Sequence, residues 1–451
     1  MRDAQEGRWR VLACCARLGV ALDDLHPHDV PGHASVIAPR IAGDAERARI
    51  VLAVGPSGSG KSCLLRAVRA ELATHRARVH AVRASTRDVL PGALHACPKT
   101  TLSCLAAAGL ADATLLATPA SRLSDGQRAR LALARAMVAL QRSRAAQRVL
   151  VIDELGSNLD TPTARSLARA LNAWARRERV GVVAATVRDD LVAYLAPDIV
   201  VRTHLGASPV IESHGGERAE ALAHLRIEPG SREDWQSLAR FHYRPGDPAT
   251  IVGVLRAVDI EREELAGVLV VSMPTLNALH RDLAWPDRYT RGCKRERARR
   301  INHELRCISR VVVDPRYRAA GVATSLVCAY LRNTLTAATE AIAAMGASCP
   351  FFERAGMTAY HTPPRPRDAR LLDALVHAGV PEHLVADVGG LSHLLGRHPW
   401  LKREAVAWAR KSRSTRGGIT RHGDAACVQS LAQCIARHVS LAPVTYAHVV
   451  N

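Results

Sequence analysis

The chain has 451 residues, of which 48% are hydrophobic and 4% aromatic, and its formal net charge is +20. This length allows about two to four domains with their own cores, and no apolar run reaches the roughly 18 residues that a membrane-spanning helix needs. Residues 1–10 lack the apolar core of a signal peptide and the 11 cysteines show no disulfide spacing, so we expect a cytoplasmic protein without a membrane partner.

The excess of 62 Lys and Arg over 42 Asp and Glu has two explanations. A strongly positive field attracts polyanions, either nucleic acid or nucleotide cofactors. Many of the arginines, however, lie three or four residues apart in Ala/Leu-rich segments, where they would cover solvated helix faces. The composition favours neither explanation.

The predicted elements divide the chain into four parts. Residues 1–43 form an N-terminal extension with a predicted short strand at 35–38, and residues 44–215 alternate strand and helix patterns, as in a nucleotide-binding α/β domain. Residues 219–362 form a second mixed α+β region after a loop-like stretch. Residues 363–451 begin with a Pro/Arg-rich linker and continue as a mostly helical, basic tail.

The segment 55–62 reads G-P-S-G-S-G-K-S and fits the phosphate-binding P-loop motif. It lies between a predicted buried strand, residues 50–54, and a segment with helical spacing, as this motif requires. Backbone amides at the helix N-terminus would surround the phosphates, Lys61 would reach the β- and γ-phosphates, and Ser62 would ligate Mg²⁺. The predicted ATP-binding residues of the loop are Gly55, Ser57, Gly58, Gly60, Lys61 and Ser62.

Three further motifs follow in order. A predicted strand, 148–152, ends in Asp153, which suits Mg²⁺ binding, and Glu154, which is placed to polarise the attacking water. The sequence L-S-D-G-Q precedes a strong helix, and its Ser124 also suits a helix N-cap. The sequence G-S-N-L-D, which ends at Asp160, comes directly after the two carboxylates.

In this order the motifs resemble the ABC-type ATPases over about residues 44–212. The resemblance implies a head-to-tail homodimer that holds ATP and Mg²⁺ between its two nucleotide domains. Ser124, Gly126 and Gln127 would then contact the γ-phosphate held by the partner's P-loop, and Asp160 would join the nucleotide-binding residues.

Two departures from this family concern ATP turnover. Val187 stands where the family has its switch His, and the segment between the P-loop helix and the L-S-D-G-Q motif contains no Gln to contact the metal. Valine cannot hydrogen-bond a phosphate or a water, so slow hydrolysis and a pure binding switch are both compatible with the sequence. An ABC transporter subunit is a weaker alternative because we expect no membrane domain.

In the second half, residues 313–323 read V-D-P-R-Y-R-A-A-G-V-A, a strand that passes through a turn into an apolar helix. Such a turn exposes backbone amides at a helix N-terminus and suits a pyrophosphate, although an ordinary β–α turn is the alternative. Residues 350–357 read P-F-F-E-R-A-G-M. Together these motifs resemble the GNAT-type acetyltransferases over about residues 232–362.

This second resemblance implies acetyl-CoA or another acyl-CoA as cofactor and direct acyl transfer to an amine. Tyr360 is a candidate acid for the leaving thiolate, Glu353 is a weaker candidate, and we expect Cys349 to serve in packing. The residues expected to bind CoA are Val313, Arg318, Ala319, Ala320, Gly321, Val322 and Ala323.

Two further segments, one basic and one with cysteines, each have a functional and a structural explanation. Six of the ten residues 291–300 are Lys or Arg and one is Glu, which fits either a nucleic-acid or CoA-phosphate contact or a solvated helix. In the tail, Cys427, Cys434 and His438 lie on one helix face, and a buried face is favoured over a zinc site because no close cysteine pair exists.

The resulting fold hypothesis is a P-loop ABC-type ATPase domain, a GNAT-like α+β domain and a helical tail. The functional hypothesis is an ATP-binding N-acyltransferase that modifies a large substrate, with tRNA or DNA favoured by the charge. The alternative is a non-transport ABC ATPase that acts on nucleic acid and carries a non-catalytic CoA-binding or acceptor-binding module.

Overall fold

The structure is a computed structural model. It describes residues 17, 32–75, 77–82, 90–94, 96–110, 112, 115–205, 207–215, 224–242, 246–278, 280–346, 349–361, 366–380, 382–411, 415, 427–439 and 444–449. Most of the N-terminal residues 1–31 and of the basic tail segment 412–426 therefore lie outside the described residues.

The first half of the chain forms a six-stranded sheet with the order β2-β3-β4-β1-β5-β6. Strands β1 to β5 are parallel, and β6 pairs antiparallel with β5 at one edge. Its strands are β1 (Ile50–Val54), β2 (Arg78–Ala81), β3 (Arg148–Ile152), β4 (Gly181–Thr186), β5 (Ile199–His204) and β6 (Ala207–Ser213).

Helices cover both faces of this sheet, and each face has its own apolar core. Along β1, Ile50 and Leu52 contribute to one core while Val51 and Ala53 contribute to the other. Strands buried on both faces are apolar throughout, which is why β1 shows no alternation. The helices are α1 (Gly32–Glu46), α2 (Lys61–Thr74), α3 (Pro98–Ala107), α4 (Asp125–Gln141), α5 (Thr161–Glu178) and α6 (Leu191–Leu195).

The second half forms a seven-stranded sheet with the order β12-β13-β11-β10-β9-β8-β7. Neighbouring strands pair antiparallel except β10 and β11, which are parallel. Its strands are β7 (Leu225–Pro229), β8 (Gly253–Asp259), β9 (Glu264–Ser272), β10 (Leu305–Val313), β11 (Ala338–Ala343), β12 (Thr358–Tyr360) and β13 (Val444–Val449).

Helices pack on both faces of the second sheet and also form a separate bundle. The last four helices share a core of their own that includes Leu391, Trp408 and Ile435. The helices are α7 (Arg232–Leu238), α8 (His280–Ala284), α9 (Lys294–Glu304), α10 (Val322–Arg332), α11 (Phe351–Arg354), α12 (Pro366–His377), α13 (Val388–Arg397), α14 (Pro399–Arg410) and α15 (Val428–His438).

Two features differ from the sequence-based expectations. Residues 35–38 belong to helix α1 and not to a strand, because Ala34, Ala38 and Ile41 recur at helical spacing and are buried against the first sheet. The tail contains the strand β13, which inserts between β11 and β12, so its end completes the second sheet. In the part of the chain that the structure describes, no helix combines the length and apolarity needed to span a membrane.

Candidate functional site

The P-loop joins β1 to α2 and leaves backbone amides free of helical partners. Gly60 caps α2 in the left-handed region at φ 88°, and the first helical bond runs from Leu64 N–H to Gly60 O at 2.9 Å. The amides of residues 61–63 therefore have no acceptor within the helix. A Cβ at Gly55 would lie 2.2 Å from Thr203 O, so only glycine fits this turn. The loop has the features of a phosphate site.

Lys61 lies folded over this loop. Its Nζ donates to Gly55 O at 2.8 Å and to Pro56 O at 2.6 Å. Partial burial lowers the pKa of Lys61, and the nearby carboxylates of Asp153 and Glu154 oppose that shift. The structure thus brings together the predicted lysine and the two predicted carboxylates, and phosphate oxygens can replace the two carbonyls as acceptors for the ammonium group.

The two carboxylates follow β3 at the same edge of the sheet as the P-loop, and both side chains are exposed. Glu154 has φ 54°, a conformation that non-glycine residues adopt at a cost of about 1–3 kcal/mol and that clusters at functional sites. Asp153 Oδ1 accepts a hydrogen bond from Glu154 N–H at 3.1 Å. Oxygen ligands such as the Ser62 hydroxyl and the Asp153 carboxylate suit Mg²⁺, so these residues fit the expected ion.

The L-S-D-G-Q segment forms the first turn of α4. Ser124 Oγ accepts from Gln127 N–H at 3.3 Å, and Ser124 N–H donates to Gln127 Oε1 at 2.9 Å, which completes a capping box. A Cβ at Gly126 would lie 2.7 Å from Leu159 Cδ2. Asp160 caps α5 by accepting from Thr163 N–H at 3.0 Å. These residues have structural roles within one protomer, and their contact with a partner's ATP stays a prediction.

Replacing Ser124 by Ala removes the acceptor of this capping box. We expect the free energy of unfolding to fall by about 1 kcal/mol, measured by urea denaturation. Ser124→Thr keeps a hydroxyl at the cap and should recover most of the stability. An Ala variant as stable as the parent would show that the cap contributes nothing.

Val187, which the resemblance assigns to the switch position, follows β4 and is 52% exposed. The adjacent Arg188 donates from Nη1 to Leu159 O at 3.2 Å and from Nη2 to Asp190 at 3.1 Å. The residue that follows β4, the strand beside β3, is therefore apolar and exposed, and the neighbouring Arg188 is held by Leu159 and Asp190.

In the second sheet, β10 and β11 pair only over their first halves. The parallel register runs from Leu305 with Ala338 to Ile308 with Ala341. Beyond it, the second half of β10 pairs with β9, and the end of β11 pairs with β13. The pairing of β10 with β9 is irregular at Ser309, directly after the last β10 residue that pairs with β11. The two strands thus part and leave a cleft between them.

This cleft holds a cavity of about 500 Å³, which is within the range of small-molecule sites. The separated strands and Phe351 and Phe352 of α11 form its walls. Its polar lining residues include His242, Ser309, Arg310, Arg318 and Asp112. The site is therefore partly apolar and, with arginines around it, suited to an elongated ligand that carries negative charge at one end.

The predicted CoA turn lies at one end of this cleft. Gly321 caps α10 in the left-handed region at φ 97°, and the first helical bond runs from Ser325 N–H to Gly321 O at 3.0 Å. The amides of residues 322–324 therefore have no acceptor within the helix. Ala319 is also left-handed, with φ 65°. The predicted CoA-binding residues are divided between two cavities. This cavity is lined by Val313, Arg318 and Ala323, and a neighbouring one by Ala319, Gly321 and Val322. The remaining residue, Ala320, donates its N–H to Tyr317 O at 3.4 Å.

The candidate acids lie elsewhere. Tyr360 is on β12 and packs against the cluster of Trp285 and Tyr289, so the structure does not bring it to the cavity. Glu353 is exposed and accepts from Tyr446 Oη at 3.4 Å. Cys349 lines the cavity, and burial raises the pKa of its thiol, which agrees with a packing role.

Contacts between the two halves of the chain are not recognisable in the sequence. Arg318 Nη1 lies 3.4 Å from Asp112 Oδ2, and Arg169 Nη1 on α5 donates to Ala320 O at 2.7 Å. Asp112 and Arg169 belong to no motif, and they contact the turn before α10, which the sequence predicts to bind CoA, from the side of the first domain. No local pattern could have identified them because the partners are distant in sequence.

The tail residues considered for zinc do not form a site. Cys434 Sγ lies 3.9 Å from His438 Nδ1, and Cys434 Sγ also approaches Thr415 O at 3.6 Å. Among the residues described here, no group of three or more His, Cys, Asp or Glu side chains could hold a metal ion. Cys434 is buried, but Cys427 is only partly buried and His438 is exposed, so the favoured interpretation of one buried helix face holds for Cys434 alone.

Residues 44–193, less than half of the chain, match a family model described as an AAA domain. No curated protein matches the chain. Among solved structures, a dimeric ATP-binding cassette in a post-hydrolysis state with ADP and Pi shows 18% identity over 38% of this chain and 87% of that chain, with a TM-score of 0.31. CbiO1 from Clostridium perfringens, part of the ABC transporter complex cbiONQ, shows 19% identity over 38% of this chain and 78% of that chain, with a TM-score of 0.30.

The family match and the geometry of the loop agree on the first half of the chain. The match spans the P-loop, the capped helix α4 and the carboxylates after β3. This confirms the prediction of a P-loop α/β domain in the first half of the chain. Residues 44–193 contain a P-loop ATPase domain, for which ATP and Mg²⁺ are the expected ligands.

Proposed function

We propose that the chain is an ATP-dependent acyltransferase. Its first domain, residues 44–215, acts as an ABC-type ATPase that dimerises around ATP. Its second domain, residues 219–362 completed by β13, transfers an acyl group from acetyl-CoA or a related acyl-CoA to an amine. The acceptor is a large nucleic acid, either tRNA or DNA.

The observation that carries the acyltransferase proposal is the cleft between β10 and β11. It opens where the strands part at Ile308 and Ala341, and it ends at the amides of residues 322–324. An acyl-CoA has a narrow apolar arm with a thioester at one end and a diphosphate near the other. A cleft with apolar walls and a free helix N-terminus at its end complements both parts.

The residues of the cleft also suggest how the proton moves. Among the described residues that line it, His242 has the side chain whose ordinary pKa permits proton uptake near neutrality. The nitrogen of the acceptor amine would bond to the acyl carbon while the carbon–sulfur bond breaks, and His242 would take the proton that the amine loses. The electron pair of that bond leaves on sulfur as a thiolate, which is a good leaving group because a thiol has a pKa of about 8.5.

The nucleic-acid acceptor is supported by charge. The chain carries a formal net charge of +20, and Arg240 and Arg310 line the cleft beside His242. Helix α9 adds a basic surface, because Lys294, Arg295 and Arg299 on it are exposed. Clustered cations of this kind bind phosphate backbones through the release of counterions.

The direct test uses the full chain and labelled acetyl-CoA. We expect acetyl-CoA to bind in calorimetry and label to pass to RNA or DNA, with more product when ATP is present. Label in protein alone would overturn the nucleic-acid acceptor. Absence of acetyl-CoA binding would overturn the acyltransferase proposal.

A carboxylate placed at the CoA turn should weaken binding selectively. Ala323 lines the cleft, so Ala323→Glu would set a negative charge beside the free amides and repel the diphosphate. We expect acetyl-CoA affinity to fall about tenfold or more by calorimetry, since one charged contact is worth about 1.5–3 kcal/mol. Ser325→Glu, two residues farther along α10, is the matched control and should bind normally. Equal affinities for the two variants would argue against the turn as the diphosphate site.

A second candidate function is an ABC-type ATPase on nucleic acid whose second domain only binds a ligand. The lining of the cleft favours this candidate. Among the described residues that line the cleft, the one carboxylate is Asp112, and it is paired with Arg318 and thus engaged as a partner of a cation instead of serving as a base. This candidate predicts acetyl-CoA or nucleic-acid binding without labelled product. The transfer assay above therefore separates the two candidates.

A further inference from the structure

A second cavity lies where the two domains meet, directly beside the CoA turn. We propose that it binds the nucleotide end of the acyl-CoA, so that the ATPase domain forms one wall of the acyl-carrier site. This inference rests on the proposed acyltransferase function. It adds residues of the first domain to the binding site, which no motif in the sequence indicates.

The cavity has a volume of about 230 Å³ and lies between helices α3 and α5 and the turn before α10. The wall from the first domain consists mainly of small side chains, including Ala106, Ala107 and Ala173. Small side chains on two helices leave a flat-sided space. Such a space can accept a planar base between the helices and the second domain.

The same wall includes the indole of Trp174, whose side chain is fully buried. Because its Nε1 is buried as well, Trp174 contributes apolar surface to the cavity and no accessible donor. The polar contacts of a ligand here would therefore come from the arginines at the opening.

The charges around the opening suit phosphate. Arg177 from α5 and Arg354 from α11 line the cavity from opposite domains, and both are exposed. Arg318 lines both this cavity and the cleft. Guanidinium groups pair well with phosphate oxygens in two-pronged geometry, so a phosphate-bearing nucleotide fits better than a neutral one.

The two cavities are parts of one path. Both are bordered by Val313, Arg318, Ala323, Cys349 and Phe351. An acyl-CoA can therefore place its acyl arm between β10 and β11, its diphosphate at the amides of residues 322–324, and its nucleotide between the domains. The hydrogen bond from Arg169 to Ala320 O holds the turn against the ATPase domain in this arrangement.

The test fills the cavity without touching the cleft. Ala173 is an exposed helix residue, so Ala173→Trp can fill the space without disturbing the core. Calorimetry on the full chain would compare acetyl-CoA with S-acetyl-4′-phosphopantetheine, which lacks the nucleotide. We expect Ala173→Trp to weaken acetyl-CoA binding about tenfold or more and to leave the affinity for the shorter compound unchanged. Ala73→Trp, at an exposed alanine on α2, is the control and should match the parent.

The outcomes separate this inference from the proposed function. If the parent protein binds neither compound, the acyltransferase proposal fails. If the parent binds acetyl-CoA but Ala173→Trp binds it equally well, or if the parent does not prefer acetyl-CoA over the shorter compound, the inference fails while the function stands. Arg177→Ala gives a second measure: it should weaken acetyl-CoA and spare the shorter compound, and equal loss for both would contradict a nucleotide contact. ATP binding, measured for each variant, reports that the protein is folded.

Discussion

Replacing Glu154 by Gln is expected to lower the rate of ATP hydrolysis by a factor of about 10² to 10⁴ while ATP still binds. Glu154 follows β3 with Asp153, and its carboxylate lies close enough to influence the Lys61 ammonium electrostatically. A glutamine keeps the size of the side chain and its hydrogen-bonding groups but cannot take a proton from water. Phosphate release under saturating ATP measures the loss.

Two comparisons make this result specific. Lys61→Ala should weaken ATP binding itself, because the ammonium that would contact the phosphates is removed, whereas Glu154→Gln should bind ATP like the parent in a fluorescent-nucleotide titration. A parent protein that binds ATP without turnover would contradict the catalytic role of Glu154. ATP would then act as a switch, in keeping with Val187 after β4, where the resemblance to the ABC-type ATPases predicts a histidine.

The parts of the nucleotide site that the sequence predicts are those made by contiguous residues. The P-loop, the capping box at Ser124 and the carboxylates after β3 each depend on a few neighbouring residues whose conformations are fixed locally: glycine at Gly60, a hydroxyl at an N-cap, an acid at a strand end. The same holds for the turn before α10. Local chemistry of this kind is independent of how the domains assemble.

The parts that the sequence does not predict depend on distant pairings. The run at residues 35–38 is short and apolar, and such a run fits a strand or a buried helix until its wider spacing is considered. Strand β13 follows its partner β12 only after helices α12 to α15, and its other partner, β11, lies still earlier in the chain. Likewise, the contact of Arg318 with Asp112 joins residues about two hundred positions apart along the printed sequence, and only the packed domains bring them together.

A buried ion cluster of the second sheet has the largest expected effect on stability. Arg281 on α8 donates to Glu340 on β11 through Nε at 2.8 Å and Nη2 at 2.7 Å, and His280 Nε2 lies 3.0 Å from the same carboxylate. All three side chains are at most 3% exposed. Glu340 sits opposite Cys307 of β10 and Ala447 of β13, so the cluster lies where the tail strand joins the sheet.

Replacing Arg281 by Ala should lower the free energy of unfolding by about 3–5 kcal/mol, because the carboxylate of Glu340 would stay buried without its main partner. Urea denaturation followed by far-UV circular dichroism measures the loss. The double variant Arg281→Met/Glu340→Leu removes both charges and should be markedly more stable than Arg281→Ala. At the surface, Arg370 forms the same two-pronged contact with Glu404, and Arg370→Ala should change stability little. A single Arg281 variant as stable as the parent would contradict the importance of the cluster.

The same cluster sets the direction of a pH effect. Burial alone would raise the pKa of Glu340, but the hydrogen bonds from Arg281 and His280 outweigh burial and hold that pKa below its usual value. A carboxyl whose pKa is lower in the folded state contributes stability above its unfolded pKa of about 4.3, and this contribution is lost as the pH falls through the folded value. The parent should therefore lose stability in acid more steeply than Arg281→Met/Glu340→Leu, which has no carboxyl there. Equal acid sensitivity in the two proteins would mean that the pKa of Glu340 is the same in the folded and unfolded states, which would contradict a pKa lowered by Arg281 and His280.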